Sequence, residues 1–461
     1  MQIPVEFQEL SDKYNKNNHL IMSCGNYEQD SLTIRSALDK NIPSENVSVV
    51  LFAPNKMNSY PDYLNKMVTE YNLKEYEIFY IGEIAELFPE LQNVDITQDH
   101  KIAFTLSNYI LTTISLCIAR AESIGSENLW IPYSGSDLSR ITSDVGKYIK
   151  AINKLANIGT LANHNISLHF PILENGEAIS NDKIISPQLK VDSALIMYSG
   201  GLDCTAAAYI MKKMSKSLHL FNIQYGQSNR NQEEYCIKQT VNILNREEEA
   251  TTYKKINFSC ISKIGGSALL KDDVKIVEEN SKLEYVPFRN TILINLGIIY
   301  ALKHNIKYLV TGGHHDDTLS PDNNLPYFYA FQEVLDLQYC SKELELYPVL
   351  LYLGGKSELI YVANELGVDF RYAWSCQDYV LESDVGIDCK GCGTCSNCST
   401  RYYAFKRVGL IDPIGYKVIP HVREKWSGWF SESDEILETL CMKKKEFQEQ
   451  KLEHKSEIPT T

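Results

Sequence analysis

Short apolar runs rich in β-branched residues alternate along this chain with longer amphipathic stretches, the pattern of parallel strands joined by crossover helices. The alternation is sharpest in the second half. There Ser193 to Tyr198 predicts a strand, Thr205 to Met214 a helix, Leu218 to Ile223 a strand and Gln232 to Leu244 a helix. Asn290 to Lys303 then predicts a long helix feeding a strand over Lys307 to Thr311. The expected fold class is α/β, with a doubly wound parallel sheet.

The first half follows the same order, and one stretch lies over the second half without a gap. Ile114, Leu116, Ile118, Ala121, Leu129 and Asp137 fall opposite Ile294, Leu296, Ile298, Ala301, Leu309 and Asp317. Nearer the start, Leu20-Ile21-Met22 repeats as Leu195-Ile196-Met197, each time before a Gly-containing turn. We read this as an internal duplication. It predicts a degenerate α/β copy over 1–185, an active copy over 186–415, and a C-terminal helix with a flexible tail over 416–461. The polar segment Glu174 to Pro187 reads as the linker, the charged stretch from about Glu432 as the helix, and Lys455 to Thr461 as its disordered end.

Composition narrows the class. A chain of 461 residues is too long for one ordinary core. It carries 44% hydrophobic and 23% charged residues, without an apolar run of the roughly 18 residues a membrane span needs. The opening MQIPVEFQELSDKYNKNN lacks the charged and apolar regions of a secretory signal, so a soluble cytoplasmic protein with no membrane contact is expected. A net charge of −14 argues against binding a nucleic-acid backbone, which needs clustered Lys and Arg. Small substrates and protein partners remain.

The strongest chemical signal is Ser199-Gly200-Gly201-Leu202-Asp203-Cys204-Thr205, between an apolar strand and a helix. Two glycines let the backbone curl so that several N–H groups and a helix N-terminus face one anion, as binding a nucleotide's phosphates requires. The spacing fits neither GxxxxGK[ST] nor GxGxxG. Tyr225-Gly226-Gln227 follows the second strand, and Val286-Pro287-Phe288-Arg289-Asn290 opens the long helix, where Arg289 and Asn290 can hold a phosphate or carboxylate by charge-assisted bonds. After the next strand come Thr311-Gly312-Gly313-His314-His315-Asp316-Asp317 and Ser320-Pro321-Asp322, on a loop of the kind that builds ligand sites in open parallel sheets. His314 and His315 can hold substrate, transfer protons or cap a solvent-exposed loop; the last is the reading we favour. Lys356 stands at a helix start, facing either a phosphate or solvent.

Of twelve cysteines, Cys376, Cys389, Cys392, Cys395 and Cys398 crowd one segment. In a long cytosolic chain such spacing indicates metal ligands rather than disulfides, and CxxC puts two thiolates on one knuckle suited to tetrahedral Zn²⁺.

These motifs, in this order over about residues 190 to 410, resemble the QueC-like 7-cyano-7-deazaguanine synthases among the PP-loop ATP pyrophosphatases. The glycine loop resembles their SGGxDS element, with Cys204 in place of the final Ser and Thr205 as a substitute hydroxyl. Tyr225-Gly226-Gln227 resembles their YGQ, Val286 to Asn290 their VPxRN, and Asp317 with Asp322 their DxSxxPD-like segment, here a residue short. The resemblance implies catalytic roles for Asp203, Arg289, Asn290 and Lys356. It implies ATP binding by Ser199, Gly200, Gly201, Leu202, Asp203, Cys204, Thr205, Tyr225 and Gln227, with Mg²⁺. It also implies deazapurine binding by Arg289, Gly312, Asp317 and Asp322, and a structural Zn²⁺ on Cys376, Cys392, Cys395 and Cys398, with Cys389 competing for the fourth position and Arg401 shortly after.

In that family ATP adenylates 7-carboxy-7-deazaguanine, ammonia captures the acyl-adenylate as an amide, and a second adenylation and dehydration gives the nitrile. The expected enzyme is thus an ATP-dependent carbon–nitrogen ligase. Longer QueC-like proteins resemble components of bacterial antiviral systems, the Qat system and a class of cyclic-nucleotide-based systems, in which a protein amine replaces ammonia. The altered loop and added half favour that reading. The alternatives are a housekeeping synthase of queuosine biosynthesis and an inactive nucleotide-binding scaffold. In the first copy the loop is Ser23-Cys24-Gly25-Asn26, Tyr109 stands where Arg289 does, and no cysteine cluster follows, so that copy should bind neither ATP nor zinc. It can serve instead as an internal pseudo-dimer partner, or receive another protein.

Overall fold

The computed structural model describes residues 17–87, 95–97, 108–161, 165–174, 190–246, 251–264, 267, 285–317, 320–339 and 341–420. The predicted tail helix, its disordered end and the linker beyond Glu174 lie outside them.

In the first half, five strands form one parallel sheet: β1 His19–Ser23, β2 Val47–Ala53, β3 Glu75–Tyr80, β4 Asn128–Trp130 and β5 Ser167–His169, in the order β3-β2-β1-β4-β5. A second sheet holds β6 Lys190–Met197, β7 Ser217–Gln224, β8 Thr251–Asn257, β9 Ile306–Val310 and β10 Glu345–Leu346, in the order β8-β7-β6-β9-β10. The two orders are the same. The principal helices are α1 Tyr27–Leu38, α2 Ser59–Tyr71, α3 Tyr109–Ile124 and α4 Val145–Gly159 in the first half. The second half has α5 Leu202–Met214, α6 Arg230–Leu244, α7 Arg289–Lys303, α8 Leu325–Asp336, α9 Lys356–Glu365 and α10 Ser396–Val408. The fold is therefore a duplicated doubly wound α/β architecture.

The duplication holds at the level of register. Leu20 pairs with Leu129 across β1 and β4, and Leu195 pairs with Leu309 across β6 and β9, so the aligned residues also face one another in each sheet. Backbone conformation repeats as well. Asn108 and Phe288, 180 positions apart, both take left-handed φ (61° and 47°) just before α3 and α7. Gly125 and Asn305, at the same separation, take left-handed φ (70° and 57°) where those helices end.

The pattern of apolar positions explains how the halves meet. Nearly every residue of α3 and of α7 is buried, the signature of a helix with neighbours on all sides. These helices pack on each other, and Asn295 Nδ2 donates to Ser115 Oγ at 2.9 Å. Ser115 and Asn295 occupy equivalent positions, and a position that touches its own counterpart marks a two-fold arrangement. The equivalent helices α4 and α8 also pack on each other: Lys154 pairs with Glu333, and Gln338 Nε2, just past α8, donates to Tyr148 Oη at 2.7 Å. One continuous apolar core runs through both halves.

Candidate functional site

β6 delivers the chain to Gly200, whose φ of +77° favours glycine and whose place leaves no room for a side chain: an added Cβ would lie 2.9 Å from the Glu233 carbonyl oxygen. Gly201 is the N-cap of α5, and no side chain of the described residues caps it. The helix therefore starts at Leu202, earlier than the apolar pattern indicated, with its positive end toward a cavity of about 290 Å³.

Three segments of the second half converge on that cavity with the glycine loop. Lys356 opens α9, is buried, and places Nζ 2.8 Å from Asp203 Oδ2. Its backbone N–H is fixed by Asp316 Oδ2 at 2.7 Å. Burial alone would raise the Asp203 carboxyl, but the nearby Lys356 and His314 outweigh it and hold the group below its ordinary range. Asp203 Oδ1 is buried and has no hydrogen-bond partner among the described residues, a strong acceptor left open. Arg289 NH1 donates to Tyr225 Oη at 3.3 Å, and both side chains line the cavity. Gln227 accepts from the Tyr225 N–H and donates to Glu233 Oε2, each at 3.0 Å, so the YGQ turn is locked to the start of α6.

The expected site residues separate into two groups. Ser199, Gly201, Leu202, Asp203, Cys204, Tyr225, Gln227, Arg289, Asn290, Gly312, Asp317 and Lys356 all line the cavity. Gly200, Thr205 and Asp322 do not. Gly200 shapes the turn and gives its carbonyl to the Trp374 N–H at 2.9 Å. Thr205 turns inward to the Tyr198 hydroxyl at 3.0 Å, so it does not replace the missing serine hydroxyl. Asp322 lies behind the wall and accepts from the Asn290 N–H at 2.8 Å and from its side-chain amide, fixing the start of α7. Burial pushes Asp322 up to about 7, against the pull of Arg289. Cys204 bonds within the loop, accepting from the Ser199 N–H and donating to the Gly201 carbonyl, both at 3.3 Å. Burial raises its thiol to about 11, so it is neutral near pH 7.

The two histidines part company. His315 is exposed, as a loop cap would be, whereas His314 is buried with Nε2 3.4 Å from Lys356 Nζ and 3.7 Å from Asp203 Oδ2. The solvent-cap reading is thus corrected for His314: its ring is buried beside Lys356 and Asp203, and its Nδ1 accepts the Asp316 N–H at 3.2 Å. Sequence reasoning also missed Glu233, Asn229 and Trp374. Glu233 lines the cavity, accepts from Gln227 and from Asn229 Nδ2 at 3.1 Å, and is pushed by burial up to about 7. The four-residue spacing of Asn229 and Glu233, one helical turn, was the available signal.

The sulfurs of Cys376, Cys392, Cys395 and Cys398 lie within 4.8 Å of one another, all four residues buried, and Cys389 is not among them. Backbone N–H groups aim at the sulfurs: Cys392 N at Cys376 Sγ (3.3 Å), Cys395 N at Cys392 Sγ (3.4 Å) and Cys398 N at Cys395 Sγ (3.4 Å). Such donors stabilise thiolates, and four thiolates at this spacing suit a tetrahedral metal ion with no open coordination position. The knuckle also braces the site, because Asn229 Nδ2 donates to the Cys376 carbonyl at 3.0 Å and Ser228 Oγ to the Gln377 carbonyl at 3.1 Å. Buried Arg401 ties Asp412 (2.8 and 2.9 Å) to the Phe370 carbonyl (3.1 Å) and also donates to the Ala373 carbonyl.

In the first half the corresponding place is a void of about 10 Å³, walled by Cys24, Ile96, Tyr109 and Tyr133. It has room for about one water. Asp30, buried there, already accepts from Ser23 Oγ, the Cys24 N–H and Tyr63 Oη.

The model of the family described as queuosine biosynthesis protein QueC matches residues 193–409. The 7-cyano-7-deazaguanine synthase of Sulfurovum sp. (strain NBC37-1) is 30% identical over 230 residues, 49% of this chain and 98% of its own length. That of Rickettsia bellii (strain OSU 85-389) is 31% identical over 232 residues, 48% of this chain and 97% of its own. The synthase of Haloarcula marismortui is 28% identical over 239 residues, 50% of this chain and 97% of its own.

Proposed function

This chain belongs to the QueC family, and from that membership we propose that it spends ATP to adenylate the carboxylate of 7-carboxy-7-deazaguanine or a close analogue and passes the acyl group to an amine. The supporting observation is the convergence of the uncapped α5 N-terminus, Lys356, Asp203 and Arg289 on one cavity. A substrate carboxylate oxygen attacks the α-phosphorus and pyrophosphate leaves. The amine then attacks the acyl carbon, expels AMP and sheds a proton. The α5 amides and Lys356 stabilise the charge that develops on the leaving pyrophosphate. Arg289, steadied by Tyr225, holds the incoming anion, and Glu233, near 7, takes the proton. Asp203, with Oδ1 open, would hold the Mg²⁺ that accompanies ATP and neutralises its phosphates. The four-cysteine knuckle fits a structural Zn²⁺.

A second reading makes the acceptor a protein amine in an antiviral system. It is favoured by the first half, since relatives aligned over 97–98% of their own length cover about half of this chain, and the family model matches residues 193–409. Intact-mass analysis after incubation with ATP, Mg²⁺, the carboxylate and either ammonium or candidate partner proteins tests both. A free amide or nitrile points to ammonia, and a deazaguanine-sized mass on a protein points to the protein amine. Absence of pyrophosphate release with every carboxylate and amine offered would sink the adenylation reading and leave a nucleotide-binding scaffold.

A further inference from the structure

The turn that presents Arg289 to the cavity is held from the other half of the molecule. Glu122, on α3, is 2% exposed, and among the described residues none of its bonded partners is cationic. Its Oε1 accepts from the Leu161 N–H at 2.8 Å, and the Tyr285 hydroxyl lies 3.0 Å from both carboxyl oxygens. That same hydroxyl accepts the N–H of Phe288 at 3.3 Å. Phe288 is the residue in the left-handed region, fully buried, immediately before Arg289. A phenylalanine there is unfavourable in isolation and persists only where its surroundings fix it. The first half supplies those surroundings twice. Besides the Glu122 to Tyr285 link, the end of α4 abuts the Phe288 ring, so closely that a Cβ on Gly159 would come within 2.6 Å of it.

We propose that the first half, closed to nucleotide itself, is a working part of the active site, and that Glu122 is a positioning residue acting through Tyr285 and Phe288 on Arg289. The physical chain is continuous. A buried carboxyl fixes a phenol, the phenol fixes one backbone N–H of a strained turn, and the next residue's guanidinium enters the cavity. Because Glu122 and Gly159 lie outside residues 193–409, which the QueC family model matches, this control is a property of the fused chain rather than of the matched region.

The inference rests on the proposed adenylation for its kinetic readout, and ATP binding provides a readout independent of turnover. The full-length protein is prepared as wild type, Glu122→Ala, Glu122→Gln, Tyr285→Phe and Lys154→Ala. Each is checked for a cooperative melt, then measured for affinity to ATP and for the KM and kcat of pyrophosphate release. Glu122→Gln keeps an acceptor and a donor in place and should stay within about twofold of wild type. Glu122→Ala and Tyr285→Phe should each raise the KM for the carboxylate about tenfold or more and weaken ATP binding, and their double variant should be no worse than the poorer single one. Lys154→Ala, which removes an exposed contact between the halves, should change neither constant. Wild-type constants in folded Glu122→Ala would overturn the proposal. If Glu122→Ala does not fold, unaltered constants in Tyr285→Phe overturn it equally. If the wild type releases no pyrophosphate, the adenylation reading fails, and the ATP affinities alone decide the positioning role.

Discussion

Lys356 is buried and Asp203 partly so, and removing the carboxylate leaves the Lys356 charge uncompensated. Breaking a fully buried pair costs about 3–5 kcal/mol of stability, and this partly exposed one should cost less; because Asp203 also lines the cavity, Asp203→Ala is expected to lose pyrophosphate release by at least about a hundredfold. A calorimetric melt should also fall, while the zinc content stays at that of wild type, because the cysteine knuckle uses none of these atoms. Glu122 gives a pH test of the opposite sign. Burial raises its carboxyl to about 8, against about 4.3 in an unfolded chain. A group with a raised folded pKa contributes stability in full below the unfolded value and loses it as pH rises through the folded one. Wild type should therefore lose stability relative to Glu122→Gln between about pH 5 and 8, by up to roughly 5 kcal/mol at 1.4 kcal/mol per unit. Urea titrations of both proteins across that range measure it. A constant difference would mean that Glu122 is charged in the folded protein throughout.

At the scale of elements, the strand and helix order was legible because buried parallel strands read as apolar runs and the glycine loop has a strict strand–loop–helix context. The cysteine knuckle was legible from spacing, and only the choice between Cys376 and Cys389 needed coordinates, because it depends on a loop that folds back over fifteen residues. What stayed hidden were contacts between elements. Trp374 reaches the Gly200 carbonyl from the knuckle, and His314 folds beneath Lys356; neither leaves a local pattern. Thr205 was misread for the same reason, since its place on the first turn of α5 does not reveal which face is core. The knuckle braces both the glycine loop through Trp374 and the YGQ turn through Asn229. Chelation of the metal should accordingly weaken ATP binding before the whole fold is lost. The expected result is a rise in protease cleavage between about residues 374 and 400 together with a lower ATP affinity, both reversed by added Zn²⁺. Chelation that leaves ATP affinity unchanged would uncouple knuckle and loop.

In the whole molecule two halves with the same strand order meet through equivalent helices. Equivalent positions meet across the α3 and α7 contact, so α7, which packs on β6 and β9 of its own half, has a further apolar face covered by α3. Large exposed apolar faces drive association in water. Residues 186–461 expressed alone would expose that face together with α8, and the two-fold relation makes both faces able to pair with a second copy. The fragment is expected to sediment as a dimer or larger species, with Asn295 facing Asn295 where Ser115 now stands. Replacing Asn295 by Asp in the fragment would set two buried carboxylates against each other, and it should shift the fragment toward monomer and aggregate. A monodisperse monomeric fragment with the melting temperature of the full chain would show that the second half needs no partner. In that event the apolar core shared by both halves would be a packing convenience, and the first half would have to be explained by what it binds.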